Sequence, residues 1–463
     1  MKYILGLIIL FVSFSSDSSQ IDDLRLFREL LERNHPLLYG YTSEKSFDNY
    51  FEQAEKLLKQ NPDDISLFTK LLASLIEKVG CGHTKIEAAP EFSKRMLEFQ
   101  TFFPLAAEVV DKKLYVLDEK ANKVLQVKAI NGQSANKILE SIYDVASSDA
   151  RNPAFKNHFI GSRFFIYFNL AGLSSAEYKV KWQDQSGQEG ETLYQGKSFQ
   201  EVAQVSGKAQ LQKYDLNNEK EYQLKHYPGL SVLSVRGFGF RGDEEKAFHS
   251  FIDQTFTTLR EQKIQKLVID LQGNGGGSRS LSVALFRYIA SKEFKQREEM
   301  RVKSREPSRE HLVKPKVELY PKILALLSNR FNENFIQQND HLSENMKPHK
   351  QKFSGDVAVL VDNGTYSAAG EFALLAKEDP AILVVGQETG FNCAQHNGDL
   401  TLTYQLPFTK TLLEIPTVHI KHAQSSCDNN FSGVIPDIII ASKPFSNKAY
   451  DQSSLLSIFE KGF

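Results

Sequence analysis

Read as apolar and polar positions, the chain changes character three times, and each change predicts a different kind of structure. After an apolar start, IDDLRLFRELLERNHPLLYGYTSEKSFDNYFEQAEKLLKQNPDDISLFTKLLASLIEKV carries apolar residues at helical spacing. The spacing predicts three helices ending at Gly80, the last begun by Asp63 and Asp64 after a proline. A turn with Cys81, Gly82 and His83 follows. From about residue 100 to 225, β-type runs alternate with turn signals in FFPLAAEVVDKKLYVL, KVLQVKAINGQSANKILESIY and the hairpin-like AEYKVKWQDQSGQEGETLYQ. From GLSVLSVRGFGF onward strands and helices alternate. DEEKAFHSFIDQTFTTLREQ reads as a helix, while KLVIDLQ and DVAVLVD are short β runs that each turn into a helix. AILVVGQETG and the paired LTLTYQLPFTKTLLEIPTVHIKH complete the pattern. It predicts an α/β layer fold with a mostly parallel sheet, interrupted at 295–350 by a charged, Pro-containing insertion or lid.

The first residues, MKYILGLIILFVSFSSDSSQ, join Lys2 to an apolar run and a small, polar end. That is the form of a secretory signal peptide cleaved near Ser15 to Ser19, since a spanning helix needs roughly 20 apolar residues. The expected organisation is a signal peptide (1–19), an N-terminal helical region (20–95), a mainly β module (96–225), an α/β domain (226–445) and a C-terminal tail (446–463). The expected location is secreted or periplasmic, with no membrane span after signal removal. Composition adds little: 463 residues, 41% apolar and 24% charged, suit an ordinary globular protein of two or three domains. A net charge of −1 leaves no electrostatic footprint for nucleic acid or an anionic membrane. Three cysteines in an exported chain allow one internal disulfide. Cys393 and Cys427, close together in one β-rich stretch, are the better pair, which leaves Cys81 as a free thiol beside His83.

Three turns offer chemistry. In VIDLQGNGGGSRS, three consecutive glycines open a helix and expose backbone N–H groups at its positive end, suited to an oxyanion hole or a phosphate cradle. The pattern is neither G-x-G-x-x-G nor a P-loop, which argues against a nucleotide. In NGTYSAAGEF, Ser367 sits where a strand becomes a helix, followed by Ala368 and Ala369. It reads either as an N-cap or as a nucleophile with small neighbours, although G-x-S-x-G is not matched. In GCGHT, His83 stands in a glycine-flanked turn with little to pack against, as a candidate base or an ordinary turn histidine. Neither H-E-x-x-H nor a zinc-type Cys/His spacing occurs, so no metal or other cofactor is expected.

In this order, GCGHT, VIDLQGNGGG, NGTYSAAGEF and SGVIPDIII resemble the serine peptidase family that includes the tail-specific (carboxyl-terminal processing) proteases, the tricorn core and the interphotoreceptor retinoid-binding proteins. The resemblance spans most of residues 20–445 and is strongest from about 230 to 440. It implies a crotonase-like (ClpP/crotonase) α/β spiral as the catalytic domain, with a PDZ-like module in the middle region, where VKAINGQSANKILESI has a matching strand, turn and helix. It makes Ser367 the nucleophile and gives the oxyanion hole to the N–H groups of Gly276 and Ala368. The tail-specific branch draws its base from a downstream lysine. This chain has Asn392 there, in GQETGFNCAQ, and an amide cannot take the proton. The tricorn-like branch uses a histidine from a turn like GCGHT, which points to His83. That branch also has a serine before the histidine, here Gly82, and a late glutamate just before the G-V-x-P-D segment, here replaced by DNNFS. The candidates for an orienting acid are then Asp428 and Glu388. The resemblance thus implies an exported serine endopeptidase acting on peptide or protein substrates through a Ser–His pair. Its retinoid-binding branch implies the alternative, a catalytically inactive peptide- or lipid-binding protein on the same fold. A crotonase-type acyl-CoA enzyme fits poorly with export, and Cys81 as nucleophile fits poorly two residues from His83. Substrate preference and oligomeric state are not written in any motif.

Overall fold

The computed structural model describes residues 19–462 except 100, 214–220, 317–318, 320–321, 324, 326–330, 334, 337–343, 424–426, 428–430 and 446–451. The expected signal peptide, apart from Ser19, and Asp428 lie outside the described residues.

Helices α1 (Gln20–Asn34), α2 (Glu44–Gln60) and α3 (Ile65–Val79) form at the three predicted places. Their starts are satisfied locally: Ser19 and Asp22 make a capping box, Ser43 accepts from Ser46 N–H, and Asp64 accepts from Ser66 and Leu67 N–H. Strand β1 (Lys85–Glu87) and helix α4 (Pro90–Phe99) follow the histidine turn. The middle region holds β2 (Ala106–Val110), β3 (Lys113–Asp118), β4 (Lys123–Ile130), β5 (Gln133–Ser134), α5 (Ala135–Tyr143), α6 (Pro153–Leu170), β6 (Glu177–Gln183), β7 (Glu189–Gln195) and α7 (Phe199–Lys213). Its antiparallel sheet runs β2-β3-β4-β6-β7, with β5 on β4. Ile138 and Ile142 of α5 and Ile160, Phe164 and Phe168 of α6 join its core. Helix α6 is absent from the sequence reading: in PAFKNHFIGSRFFIYFNL the aromatic residues lie all round the helix and hide its period.

The remaining elements are β8 (Tyr222–Tyr227), β9 (Leu230–Val235), α8 (Asp243–Glu261), β10 (Lys266–Asp270), α9 (Arg279–Phe286), β11 (Arg297–Val302), β12 (Leu312–Lys314), β13 (Asp356–Val361), α10 (Ala368–Glu378), β14 (Ile382–Gly386), β15 (Gln395–Gln405), β16 (Leu412–His422), β17 (Ile438–Ile439) and α11 (Gln452–Gly462). One sheet runs β17-β14-β13-β10-β9-β8, parallel from β17 to β9, with β8 antiparallel at the edge. Consecutive parallel strands are neighbours, so each crossover advances the chain one position in the same direction. Leu233, Leu267, Ile269, Val357 and Val359 pack with α8, α9 and α10. The alternate residues Val268, Ala358, Leu360 and Val385 meet Leu455, Ile458 and Phe459 of α11. Both faces are therefore apolar and covered, as a parallel sheet requires. A further antiparallel sheet, β1-β16-β15-β12 with β11 on β16, packs under the N-terminal helices through Tyr404, Leu413 and Ile415. Its strands β11 and β12 come from within residues 295–350.

A buried carboxylate joins the helical region to the middle one. Glu77, 1% exposed, accepts from Lys156 Nζ (2.6 Å), Lys78 Nζ (2.8 Å) and Arg151 Nε (2.8 Å). Opposing charge holds it ionised against the cost of burial. Glu77→Gln would strand the buried Lys156 without its carboxylate, while Lys78 keeps Asp144 at 3.2 Å, and the expected loss is about 3–5 kcal/mol. Denaturant midpoints measure it. Glu91→Gln, which removes an exposed pair with Arg95, should leave the midpoint almost unmoved.

Candidate active site

Strands β10 and β13 are parallel neighbours with Asp270 opposite Leu360, and Leu271 N–H extends the ladder to Leu360 O (2.9 Å). The two strand-to-helix turns therefore leave the sheet side by side at the carboxyl ends of the strands, where open α/β sheets gather their binding loops. They are laced together by Gly273 N–H to Asp362 Oδ1 (2.8 Å), Thr365 Oγ1 to Leu271 O (3.0 Å) and Tyr366 N–H to Asn274 O (3.0 Å). The end of β9 pins the glycine run from the other side, with Phe238 N–H on Gly276 O (2.9 Å) and Ser278 N–H on Phe238 O (2.7 Å).

Ser367 occupies the N-cap position of α10, yet its side chain makes no capping bond. Its backbone lies at φ 52°, ψ −127°, a strained conformation for a residue with a Cβ. The hydroxyl faces another chain segment instead: Oγ is 3.3 Å from His83 Nε2. Gly276, at φ 98°, allows this approach, because a Cβ there would stand 2.7 Å from Ser367 Cβ and 2.9 Å from Ala368 N. Ala368 opens α10, where N–H groups have no acceptor within the helix. The expected Gly276 and Ala368 are thus both brought to Ser367. Gly276 N–H, however, is donated to Asn274 Oδ1 (2.9 Å), and it is Gly275 and Gly277 that line the adjoining pocket.

His83 arrives from the turn after α3, which ends at the left-handed Gly80 (φ 67°). Gly80 O accepts from Ala150 N–H (2.9 Å), Cys81 O from Ser147 Oγ (2.9 Å), and Gly82 N–H donates to Asp149 Oδ1 (2.8 Å). The imidazole is half-buried and stacks on Tyr366, with centroids 4.9 Å apart, and Nδ1 lies 2.9 Å from Tyr366 Oη. Burial, helped by Lys85 and Arg279, pushes His83 down to about 3, so the ring is neutral around neutral pH. Burial pushes Asp149 up to about 7, against the lowering effect of Gly82 N–H, Tyr366, Asn392 N–H and Lys85. Cys81 is buried, pushed up to about 11 and absent from the pocket lining, so it stays an inert thiol.

The pocket in front of Ser367 and His83 has a volume of about 460 Å³ and is also lined by Lys85, Phe155, His158, Phe159 and Arg279. A larger hollow of about 550 Å³, beside α3 and residues 169–176, contains none of the motif residues. Behind the pocket, the Arg279 guanidinium bonds Glu371 Oε1 (2.8 Å), His396 Nε2 (2.8 Å) and Asp399, and His396 Nδ1 meets His422 Nε2 (3.1 Å). Glu371, His396 and His422 are grouped closely enough for a metal ion, but Arg279 already supplies the cation. Cys81, His83 and Asp149 form the other such group among the described residues, with Tyr366 Oη already on His83 Nδ1.

The remaining candidates fall elsewhere. Glu388 Oε1 accepts from Asn152 Nδ2 and Gly433 N–H (both 2.8 Å), while the atom at His83 Nδ1 is the Tyr366 hydroxyl. Asn392 Oδ1 ties its own turn by accepting from Ala394 and Gln395 N–H (both 3.0 Å). Cys393 and Cys427 form the expected disulfide, with Cα atoms 5.8 Å apart. Sequence reading passed over Tyr366 and Asp149. Tyr366 stands next to Ser367 in a quoted motif, whereas Asp149, in SSDAR, carries no local signal.

Comparisons with known proteins bear on this geometry. Residues 232–440 match the model of Peptidase family S41. A CPAF mutant superposes with a TM-score of 0.63 at 13% identity, covering 91% of this chain and 92% of the other. Mature CPAF gives 0.61 at 14% identity, covering 91% and 92%. Mature CPAF complexed with lactacystin gives 0.61 at 15% identity, covering 91% and 93%. At such identities the likeness is one of fold. Comparison with curated proteins by sequence finds no match.

Buried histidines at the site and elsewhere set a pH dependence of stability. His35, His396 and His422 are 0%, 1% and 4% exposed, and burial pushes all three below the ordinary value, His35 to about 3. In the unfolded chain they take up protons as pH falls through about 6.5, while the native state does not, so stability is lost on acidification. Asp149, raised to about 7, acts in the opposite sense over the carboxylate range, and the histidines outnumber it. The denaturant midpoint should fall from about pH 7 to about pH 5, with net proton uptake on unfolding. A flat or rising midpoint would contradict burial of these rings in the neutral form.

Proposed function

Through residues 232–440 the chain belongs to peptidase family S41, a serine-type peptidase family, and we propose that it is an endopeptidase with Ser367 as nucleophile and His83 as base. The observation that carries this reading is the Ser367 hydroxyl, held on strained backbone, uninvolved in capping and 3.3 Å from His83 Nε2. That distance is long for a hydrogen bond, as resting sites often are before substrate tightens them. A neutral imidazole accepts the hydroxyl proton as Oγ bonds to the peptide carbonyl carbon. Its low basicity rises once the tetrahedral oxyanion stands beside it, because the imidazolium then has a counter-charge. The proton passes to the leaving amine, and water, deprotonated by the same ring, cleaves the acyl-enzyme ester.

Ala368 N–H, at the positive end of α10, supplies one oxyanion donor. The second comes from the 275–277 run. Gly276 serves only after its N–H leaves Asn274 Oδ1, a peptide rotation that glycine permits at low cost. Lys85 is the lysine at the pocket, on the exposed strand β1, and does not act as the base in this scheme. Substrates are proteins or peptides, and the amino-terminal MKYILGLIILFVSFSS supports export to a secreted or periplasmic location.

A fluorophosphonate probe tests the assignment on the purified protein. Labelling is expected at Ser367, abolished by Ser367→Ala, slowed about 10²- to 10⁴-fold by His83→Ala and nearly unchanged by Lys85→Ala. If the folded protein takes no label from about pH 6 to about pH 9, the inactive peptide- or lipid-binding reading replaces this one. Loss with Lys85→Ala but not His83→Ala would move the base to the lysine.

A further inference from the structure

We propose that Tyr366 is the positioning residue for His83, its hydroxyl linking the imidazole Nδ1 to the buried Asp149 carboxylate in place of an acid in direct contact. The inference rests on the reading of Ser367 and His83 as nucleophile and base.

The argument begins with proton placement. For Nε2 to accept from Ser367, the single ring proton of neutral His83 must sit on Nδ1. The atom facing Nδ1 is Tyr366 Oη at 2.9 Å, which must then accept that proton's hydrogen bond. A phenol that accepts on its oxygen turns its own O–H to another acceptor. An Asp149 carboxylate oxygen lies within 4.8 Å of a His83 ring nitrogen, close to where Tyr366 Oη meets Nδ1, and Tyr366 and Asp149 shift each other's titration. Asp149 Oδ1 is already held by Gly82 N–H at 2.8 Å, while Oδ2 is buried with no donor within full hydrogen-bond distance. Oδ2 is the place where the chain has room to close when His83 becomes an imidazolium and draws Tyr366 and Asp149 tighter. Burial and the neighbouring Asp149 keep the phenol well above its usual value, so it remains an O–H donor. No proton travels along the chain: Nδ1–H stays on histidine and Oη–H on tyrosine, and only the hydrogen bonds strengthen.

Packing shows that the hydroxyl has a prepared position. A Cβ at Gly82 would stand 2.5 Å from Tyr366 Oη, so glycine at this position is what admits the phenol to the histidine. The Tyr366 ring stacks on both His83 and Phe155, with centroids 4.9 and 3.9 Å away, which fixes the ring and so the position of the hydroxyl oxygen. Asp149 is fastened to the same turn that presents His83, so acid and imidazole are held in place together.

Two readouts on Tyr366→Phe test this, because phenylalanine keeps the ring stacking and removes the hydroxyl alone. The first is ¹⁵N-histidine NMR: wild-type His83 is expected as the Nδ1–H tautomer with a strongly hydrogen-bonded proton, and Tyr366→Phe should abolish that signature. The second is fluorophosphonate labelling analysed as kinact and KI. Tyr366→Phe should lower kinact by at least about tenfold and leave KI unchanged. Asp149→Asn should do the same, with the double variant no slower than either single one. If labelling proceeds at Ser367 but both readouts are indifferent to Tyr366→Phe, the link is overturned. Additive losses in the double variant would overturn the coupling of Tyr366 to Asp149. If wild type takes no label while the Nδ1–H signature still depends on Tyr366, the linkage stands and the peptidase reading fails.

Discussion

The pairing of β10 with β13, in the register that sets Asp270 opposite Leu360, governs where chemistry can occur in this molecule. A slip of one residue would turn every side chain of a strand to the opposite face, and here both faces are packed, by α8–α10 on one side and α11 on the other. It would also separate Gly276 from Ser367 by about 3.3 Å, enough to undo their contact. The apolar alternation that holds the sheet in register is therefore also what holds the two turns together. Arg279 and Glu371 reinforce this, since their buried ion pair joins the first turn of α9 to the first turn of α10.

The histidine is delivered from a separate part of the chain, and its delivery depends on buried charge. Glu77, gripped by three cations, anchors the end of α3 to α6 and to the turn at Arg151. Asp149 in that turn then holds Gly82 by its N–H. Such an arrangement stabilises little in net terms, because desolvation offsets much of the attraction. It is specific, however, since losing one partner leaves the others uncompensated in the interior. The same low-dielectric surroundings keep His83, His396 and His422 neutral and Cys81 a thiol, so the buried ionisable groups left around the pocket are Arg279 with its carboxylates and Asp149.

How legible the site was differs from residue to residue. Ser367 and His83 stood out because glycines and small residues around a polar side chain mark a turn with open approach. Whether Ser367 capped a helix was undecidable locally, since capping and nucleophilic serines both precede apolar helices. The backbone angles and the His83 contact separate the two. Gly276 was correctly placed beside the serine, but the direction of its N–H depends on Asn274, whose side chain competes for it. Tyr366 and Asp149 were missed because an orienting pair needs no spacing of its own: it is assembled by the closeness of turns 217 positions apart in sequence, Tyr366 following the strand β13 and Asp149 preceding α6.

The sequence by itself determined what is local or periodic. Caps and apolar spacing specify α1 to α3, alternation and turns specify the α/β repeat, and nearness within one β-rich stretch favours Cys393–Cys427 over the other pairings without fixing it. These depend on interactions between near neighbours or on one face of one element. Tertiary structure alone decided that the histidine turn meets the serine, that Glu388 supports Gly433 and Asn152, and that a phenol stands at His83 Nδ1. Those outcomes depend on how packed layers bring distant turns within about 3 Å, a distance no spacing in the chain encodes.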